Sequence, residues 1–362
     1  MDYSARQHRL SLELHRARLP AFILTHLPNI RYLFGFTGSA GVAVVIARPR
    51  SLKMTFYTDG RYAQQAGEEI KGAKIVITRR PALLEAAEGL LYAKVDHVGF
   101  ETDQLPHGQY RQLVRLLRGK VRLKATSGMI EKLREIKDSA EIEQIRAAVL
   151  MGSNLLDSAL SAIRPGVTEA EVAGELELHA RRAGAEKMSF DTIIAAGPRS
   201  ALPHGRASAQ VIPGNGFIIL DYGVILAGYC SDMTRTVHVG RVSVAHRRMY
   251  EAVLESQLAG IDAVRPGSET GEVDRACREI LKRAGYDAYF THSTGHGVGL
   301  EIHEQPRLAK GQKQRLEPGM VITIEPGIYI PADGGVRIED MVLVTESGHQ
   351  VLTTASKELI TL

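Results

Sequence analysis

Two rhythms of hydrophobic and polar positions divide the chain. From Pro20 to Ala125 the short apolar runs AFILTHL, GVAVVIA, MTFYT, KIVIT and HVGF alternate with stretches of helical spacing, Pro81 to Lys94 and Pro106 to Gly119. Runs of that length read as strands and the spaced stretches as helices, which predicts an α/β layer domain. The rhythm changes at TSGMIEKLREIK, residues 126 to 137. Asp138 then reads as a helix N-cap, with Glu141 completing a capping box for a long helix toward Arg164. The boundary falls near Ser127, dividing the chain into 1–127 and 128–362, and no Pro/Gly/Ser-rich low complexity marks the joint.

The second part repeats itself. AIRPGVTEAEVAGELELHARRAG from Ala162 and AVRPGSETGEVDRACREILKRAG from Ala263 align without gaps, pairing Arg164 with Arg265, Gly166 with Gly267, Glu171 with Glu272 and Gly184 with Gly285, 101 positions apart. Each copy reads as helix, Arg-Pro-Gly turn, second helix and strands, so a pseudo-two-fold domain is expected. Thr168 and Glu171 form a capping box in the first copy, whereas Gly271 breaks the equivalent spacing in the second. The Gly35, Gly38 and Gly41 spacing matches neither a dinucleotide fingerprint nor a phosphate loop, so these read as turn glycines.

Acidic residues punctuate the apolar runs after each copy. In FIILDYGVILAGYCSDMTRTVHV, Asp221 and Asp232 flank a turn at Ala227-Gly228, so hairpin pairing would make them cross-strand neighbours. Such neighbours have Cβ atoms about 4.5–5.5 Å apart, and like charges there repel unless a cation lies between them. Glu325 in VITIEPGIYI and Glu339 in GGVRIEDMVLV flank a second breaker-rich loop, Pro331 to Gly335, and His296 stands in STGHGVGLEIHEQP. Four carboxylates and one imidazole exceed what one divalent ion needs and match a two-metal site with ions roughly 3.5–4 Å apart. Oxygen-dominated ligation suits Mn, with Co, Fe or Zn as alternatives, and argues against a thiolate zinc site. Arg337, two residues before Glu339 on a strand, shares its face and reads as a donor orienting the carboxylates.

The order Asp221, Asp232, His296, Glu325, Glu339, in the settings DYG, SDMTRT, TGHGVG, IEPG and RIED, resembles the pita-bread metallopeptidases: methionine aminopeptidase, prolidase and aminopeptidase P. Creatinase shares that fold without these ligands, so their presence speaks against a metal-free reading. NIRYLFGFTGSAG and YTDGRYAQQA look like the amino-terminal domain of the prolidase and aminopeptidase P branch. The resemblance implies a creatinase/prolidase-like α/β domain followed by an α+β pseudo-two-fold pita-bread catalytic domain. It also implies hydrolysis by a hydroxide shared between two divalent ions, with Glu325 as ligand and general base. By the same likeness His204 in PHGR and His303 in IHEQP hold the substrate and stabilise the oxyanion, and His292 lines the pocket. Tyr229 is a candidate substrate contact, and Cys230 reads as core. Asp59, Arg61 and Tyr62 either reach a neighbouring subunit, as the likeness hints, or form a local surface turn.

An Xaa-Pro bond is a tertiary amide with no N–H and a fixed proline φ, so cleaving it calls for a pocket shaped to the ring. The TDGRY likeness favours an Xaa-Pro aminopeptidase acting on peptides with proline second, and the Xaa-Pro dipeptidase is the alternative. A homodimer is a family expectation, and a non-catalytic binding module on the same fold is the reading from another class. Such scaffolds typically lose their ligands, whereas all five are present here. Composition adds only exclusions. The 362 residues are 44% hydrophobic and 24% charged, as in ordinary globular proteins. A net charge of +4 without any Lys/Arg block argues against nucleic acid. No segment approaches the roughly 20 apolar residues of a membrane span. Two cysteines make no disulfide framework, which with the charged amino terminus predicts a cytoplasmic location.

Overall fold

The fold was analysed in a computed structural model, which describes residues 1–48 and 51–362. The chain forms two compact units, Met1–Arg134 and Glu135–Leu362.

In the first unit the elements run α1 (Tyr3–Arg16), β1 (Ala21–Leu24), α2 (Leu27–Phe34), β2 (Val42–Arg48), β3 (Ser51–Asp59), α3 (Ala63–Glu69), β4 (Lys74–Thr78), α4 (Ala82–Ala93), β5 (His97–Glu101), α5 (His107–Leu117), β6 (Arg122–Thr126) and α6 (Met129–Glu135). The strands make one sheet in the order β4-β3-β2-β1-β5-β6. Parallel pairs at β1–β5, β5–β6 and β3–β4 flank an antiparallel centre, and α4 and α5 cover one face with Leu83, Leu90, Leu113 and Leu117. AFILTHL therefore supplies a strand only as far as Leu24. Glu101 then accepts from the backbone N–H groups of Thr25 and His26, capping the entry to α2, which the sequence pattern did not reveal. Asp59 forms a local ion pair with the exposed Arg61.

The second unit holds α7 (Ser139–Asn154), α8 (Leu156–Ala162), α9 (Glu169–Arg182), β7 (Lys187–Met188), β8 (Ile193–Ala196), β9 (Gly216–Tyr222), β10 (Val224–Leu226), β11 (Tyr229–Cys230), β12 (Met233–Val239), α10 (Val244–Asp262) and α11 (Thr270–Arg283). After these come β13 (Gly295–Gly297), β14 (Glu304–Leu308), β15 (Val321–Ile324), β16 (Gly327–Ile330), β17 (Gly334–Arg337), β18 (Asp340–Thr345) and β19 (Gly348–Val351). Asp138 and Glu141 form the expected capping box. The expected long helix is interrupted at Leu155, whose N–H bonds the Gly152 carbonyl, an acceptor that the Tyr222 hydroxyl also uses.

The sequence repeat is a structural repeat. Gly166 and Gly267 both have positive φ, 92° and 85°. Their N–H groups donate to Ile212 and Leu316, and Thr168↔Val211 and Glu269↔Arg315 form matching bridges. One core joins α8 and α9 to β8, β9 and β12, and the other joins α10 and α11 to β15 and β18. Gly271 breaks nothing. Glu269 occupies the N-cap and its N–H donates to Glu272, while a Cβ at Gly271 would come within 2.5 Å of the Gln312 carbonyl. Glycine is required there by that close approach.

Candidate metal centre

Each half contributes a hairpin, and the functional side chains sit where the hairpins meet. In the first, Ala227 (φ 48°) and Gly228 (φ 81°) make a two-residue turn with both residues left-handed. That turn pairs Leu226 with Tyr229 and, farther along, Asp221 with Thr234. The two aspartates are thus not the directly opposed neighbours that their near symmetry in the sequence predicts. Asp232 stands diagonally from Asp221, between β11 and β12, with its N–H turned to the Met341 sulfur at 3.2 Å. In the second hairpin Ile324 pairs with Asp340 and Gly327 with Arg337, so Glu325 and Glu339 fall at facing positions between those pairs. The hairpins join where the Glu339 N–H donates to the Thr234 carbonyl at 3.1 Å and the Arg337 N–H to Thr236 Oγ1 at 3.0 Å.

His296 comes from β13, which lies so close to its neighbours that a Cβ at Gly295 would fall 2.0 Å from the Thr323 carbonyl. Its Nδ1 lies 3.0 Å from the Gly297 carbonyl, which fixes the proton there and leaves Nε2 as a lone pair. Nε2 is 3.6 Å from Asp232 Oδ2 and 3.5 Å from Glu325 Oε1, and Asp232, His296 and Glu339 bring ligand atoms within 4.8 Å of one another. Asp221 Oδ1 is buried without a hydrogen-bond partner, while its Oδ2 accepts from Arg337 Nη2 at 2.5 Å.

Burial and mutual repulsion govern the electrostatics. Desolvation, with Glu339 and Asp221 nearby, holds the Asp232 carboxyl well above the usual range, and Glu339 is raised in the same way. Burial pushes Glu325 up to about 8 against the lowering pull of Arg337. His296 is pushed down to about 4, chiefly by burial, and so stays neutral. Burial opposes the Arg337 charge, but Tyr329 and Asp221 more than offset this and raise its pKa.

Arg337 lies at the centre of the polar network. It donates to Asp221, to the Tyr329 hydroxyl at 2.6 Å, to Thr234 Oγ1 at 3.2 Å and to the Pro203 carbonyl at 3.2 Å. Thr234 passes the contact on to Glu339 Oε2 at 2.7 Å. Tyr329 and Thr234 were missed in the sequence, although Tyr329 follows Glu325 at an even spacing along its strand. His292 uses both ring nitrogens within the protein, Nδ1 on the Ser293 carbonyl and Nε2 on Tyr329, each at 2.8 Å. Neither ring nitrogen is left free, and the ring packs against Phe290 and Tyr329. His303 faces solvent with its ring 4.5 Å from that of His296, and His204 is exposed.

Tyr229, expected as a substrate contact, lies elsewhere. It is packed with Ile145 and Val149, and its hydroxyl donates to Glu141 at 3.1 Å. Strand alternation turns it away from the face that carries Asp232. Cys230 is core, as expected.

Buried carboxylates around a neutral imidazole, in a duplicated α+β unit, define the class of divalent-metal hydrolases. The comparisons with known proteins agree. Residues 143–346 match the model of metallopeptidase family M24, and residues 6–136 match the creatinase/prolidase N-terminal domain. The Xaa-Pro dipeptidase of Pyrococcus horikoshii is 38% identical over 94% of this chain and 95% of its own. Among solved structures, the Xaa-Pro dipeptidase from Bacillus anthracis superposes with a TM-score of 0.96 at 42% identity, covering 100% of both chains. An X-Pro aminopeptidase from Thermotoga maritima gives 0.88 at 31% identity, over 96% and 99%. The chain belongs to metallopeptidase family M24, with the pita-bread fold, and is a hydrolase that uses divalent metal. Among the described residues no helix is long and apolar enough to cross a membrane.

Proposed function

We propose that the chain hydrolyses the bond before proline in Xaa-Pro dipeptides, with Asp221, Asp232, His296, Glu325 and Glu339 holding two divalent ions. The observation that carries this is the donor set itself: buried acids pushed toward their protonated forms, an orphaned Asp221 Oδ1 and an imidazole whose lone pair faces two carboxylates. Once deprotonated, such a set needs cations to offset its repulsion. Hard oxygen donors with one imidazole favour Mn, then Co, Fe or Zn. Bound there, two ions supply Lewis acidity and acidify water toward neutral pH.

The chain's own groups then divide the work. Glu325, held by Thr323 Oγ1 at 3.3 Å, accepts and returns the proton. Arg337 orients Asp221 through its bond to Oδ2. The solvent-facing imidazoles of His303 and His204 are available to hold the scissile carbonyl.

The names of the relatives at 38% and 42% identity favour a dipeptide substrate. The longer peptide is the second reading, favoured by the TDGRY motif and by the 31% identical aminopeptidase. A matched assay of Xaa-Pro and Xaa-Pro-Yaa in Mn-supplemented buffer separates them. Cleavage of the dipeptide alone supports the first reading, cleavage of the tripeptide the second, and cleavage of neither refutes both. Glu325→Gln abolishes hydrolysis while circular dichroism stays native.

A further inference from the structure

The segment from Phe290 to Thr294, which leads into His296, has no strand ladder of its own. Its backbone polar groups must find partners elsewhere, and several find them on one helix. Asp274 and Arg278, four residues apart on α11, face the segment together. The guanidinium of Arg278 uses all three nitrogens: Nε on Asp274 Oδ2 at 2.8 Å, Nη1 on the Phe290 carbonyl at 3.1 Å and Nη2 on the His292 carbonyl at 2.6 Å. It also stacks 4.2 Å from the centre of the Phe290 ring. The other Asp274 oxygen accepts from Thr294 Oγ1 at 2.9 Å, and the Thr294 carbonyl accepts the Glu325 N–H at 2.8 Å.

The direction of each proton beyond this clamp follows from donor capacity. A carbonyl can only accept, so His292 Nδ1 carries hydrogen toward Ser293 and Nε2 must accept from Tyr329. The Tyr329 oxygen in turn accepts from Arg337, which donates to Asp221. One chain of contacts thus runs from Arg278 through His292, Tyr329 and Arg337 to Asp221. A second runs through Asp274 and Thr294 to the backbone of Glu325. Arg278 itself is 30% exposed and borders a surface cleft of about 540 Å³.

We infer that Arg278, braced by Asp274, is a positioning residue of the catalytic site: it pins the His292 backbone so that the ring keeps its Nδ1–H bond to the Ser293 carbonyl, and thereby aligns Tyr329 and Arg337. The planar fork is what the role needs, since a lysine cannot serve three acceptors in one plane. Residues that act through a chain of contacts rather than on a ligand typically change coupling about 2–30-fold.

The kinetic arm of the test rests on the Xaa-Pro reading above, and the spectroscopic arm does not. For Arg278→Gln and Arg278→Lys, kcat/KM per metal-loaded, folded molecule falls about 2–30-fold, with Gln the worse. In a double-mutant cycle, Arg278→Lys adds little to the loss already caused by His292→Ala, because both cut the same chain. In metal-free, histidine-labelled full-length protein, 15N spectra show His292 as the Nδ1–H tautomer, and Arg278→Lys mixes the tautomers. Full additivity in the cycle, wild-type kcat/KM in Arg278→Lys, or an unchanged His292 spectrum overturns the inference. Should Arg278→Gln not fold, Thr294→Val, which removes the hydroxyl that bonds Asp274 and leaves Arg278 in place, carries the same expectation in weaker form. Wild-type protein inactive on every proline peptide would sink the substrate reading and leave the spectroscopic arm standing.

Discussion

Replacing Arg337 by methionine tests whether the acid cluster is held by charge balance. Arg337 is 3% exposed and its guanidinium reaches Asp221 at 2.5 Å, Tyr329 at 2.6 Å and Thr234 and Pro203 at 3.2 Å. Methionine fills much of the volume but leaves Asp221, whose Oδ1 already has no partner, with no counter-charge on Oδ2 either. Breaking a buried pair from one side costs about 3–5 kcal/mol. For a unit the size of Glu135–Leu362 each kcal/mol shifts Tm by about 2–4 °C, so the metal-free variant should melt roughly 6–20 °C below wild type. Arg337→Lys keeps the charge without the fork and should fall between. Saturating Mn should narrow the gap, because bound cations supply the missing charge to Asp221. The assay is calorimetry of full-length protein in chelator and then in excess metal, following the transition that responds to metal. Coincident melting of Arg337→Met and wild type in chelator would refute the electrostatic account, and so would a gap that widens with metal.

Two further predictions concern pH and the first hairpin. Burial raises Glu325 to about 8 and lifts Asp232 and Glu339 above their usual range, so in metal-free protein the folded state keeps protons the unfolded chain has lost. Their stabilising effect is complete below the unfolded carboxyl value of about 4.3 and is lost as pH rises through the folded values. His292 and His296, held near 4 by burial, act oppositely and cost stability as pH falls below about 6.5. Metal-free Tm should therefore fall from pH 6.5 to 8, where only the acids still differ between the folded and unfolded states, and added metal should stabilise more at the alkaline end, since binding needs the acids deprotonated. A metal-free Tm that rises from pH 6.5 to 8 contradicts this. At Ala227, with φ 48°, substitution by asparagine should raise stability by about 1 kcal/mol, because an L-alanine resists the left-handed turn that Asn-Gly favours. A lower Tm for Ala227→Asn would show that the turn does not carry that strain.

Much of this molecule was legible in the residues. Hydrophobic period placed β2, β3, β4 and β5 and the helices α4 and α5, because half-buried strands and helices must alternate to cover one core. The repeat was legible because both copies need the same left-handed glycine after Arg-Pro and the same cap three residues before a glutamate. Asp221, Asp232, Glu325 and Glu339 stood out because each ends or interrupts a short apolar run where a charge has no local reason to be, and His296 because of its setting TGHGVG.

What the sequence could not determine was register, depth and partnership across long separations. A period of two assigns a residue to a face but does not say what faces it, so the aspartates' diagonal offset waited on the Ala227-Gly228 turn. Tyr229 was a candidate until its strand turned it toward Glu141. Thr234, Tyr329 and the clamp of Arg278 on His292 join segments remote in sequence, and no local pattern records such contacts. The sequence by itself determined which chemistry the chain carries, because side-chain type and strand period are local properties. Only the tertiary structure decided how the two hairpins meet and which groups hold them, because that depends on the packing of one half against the other.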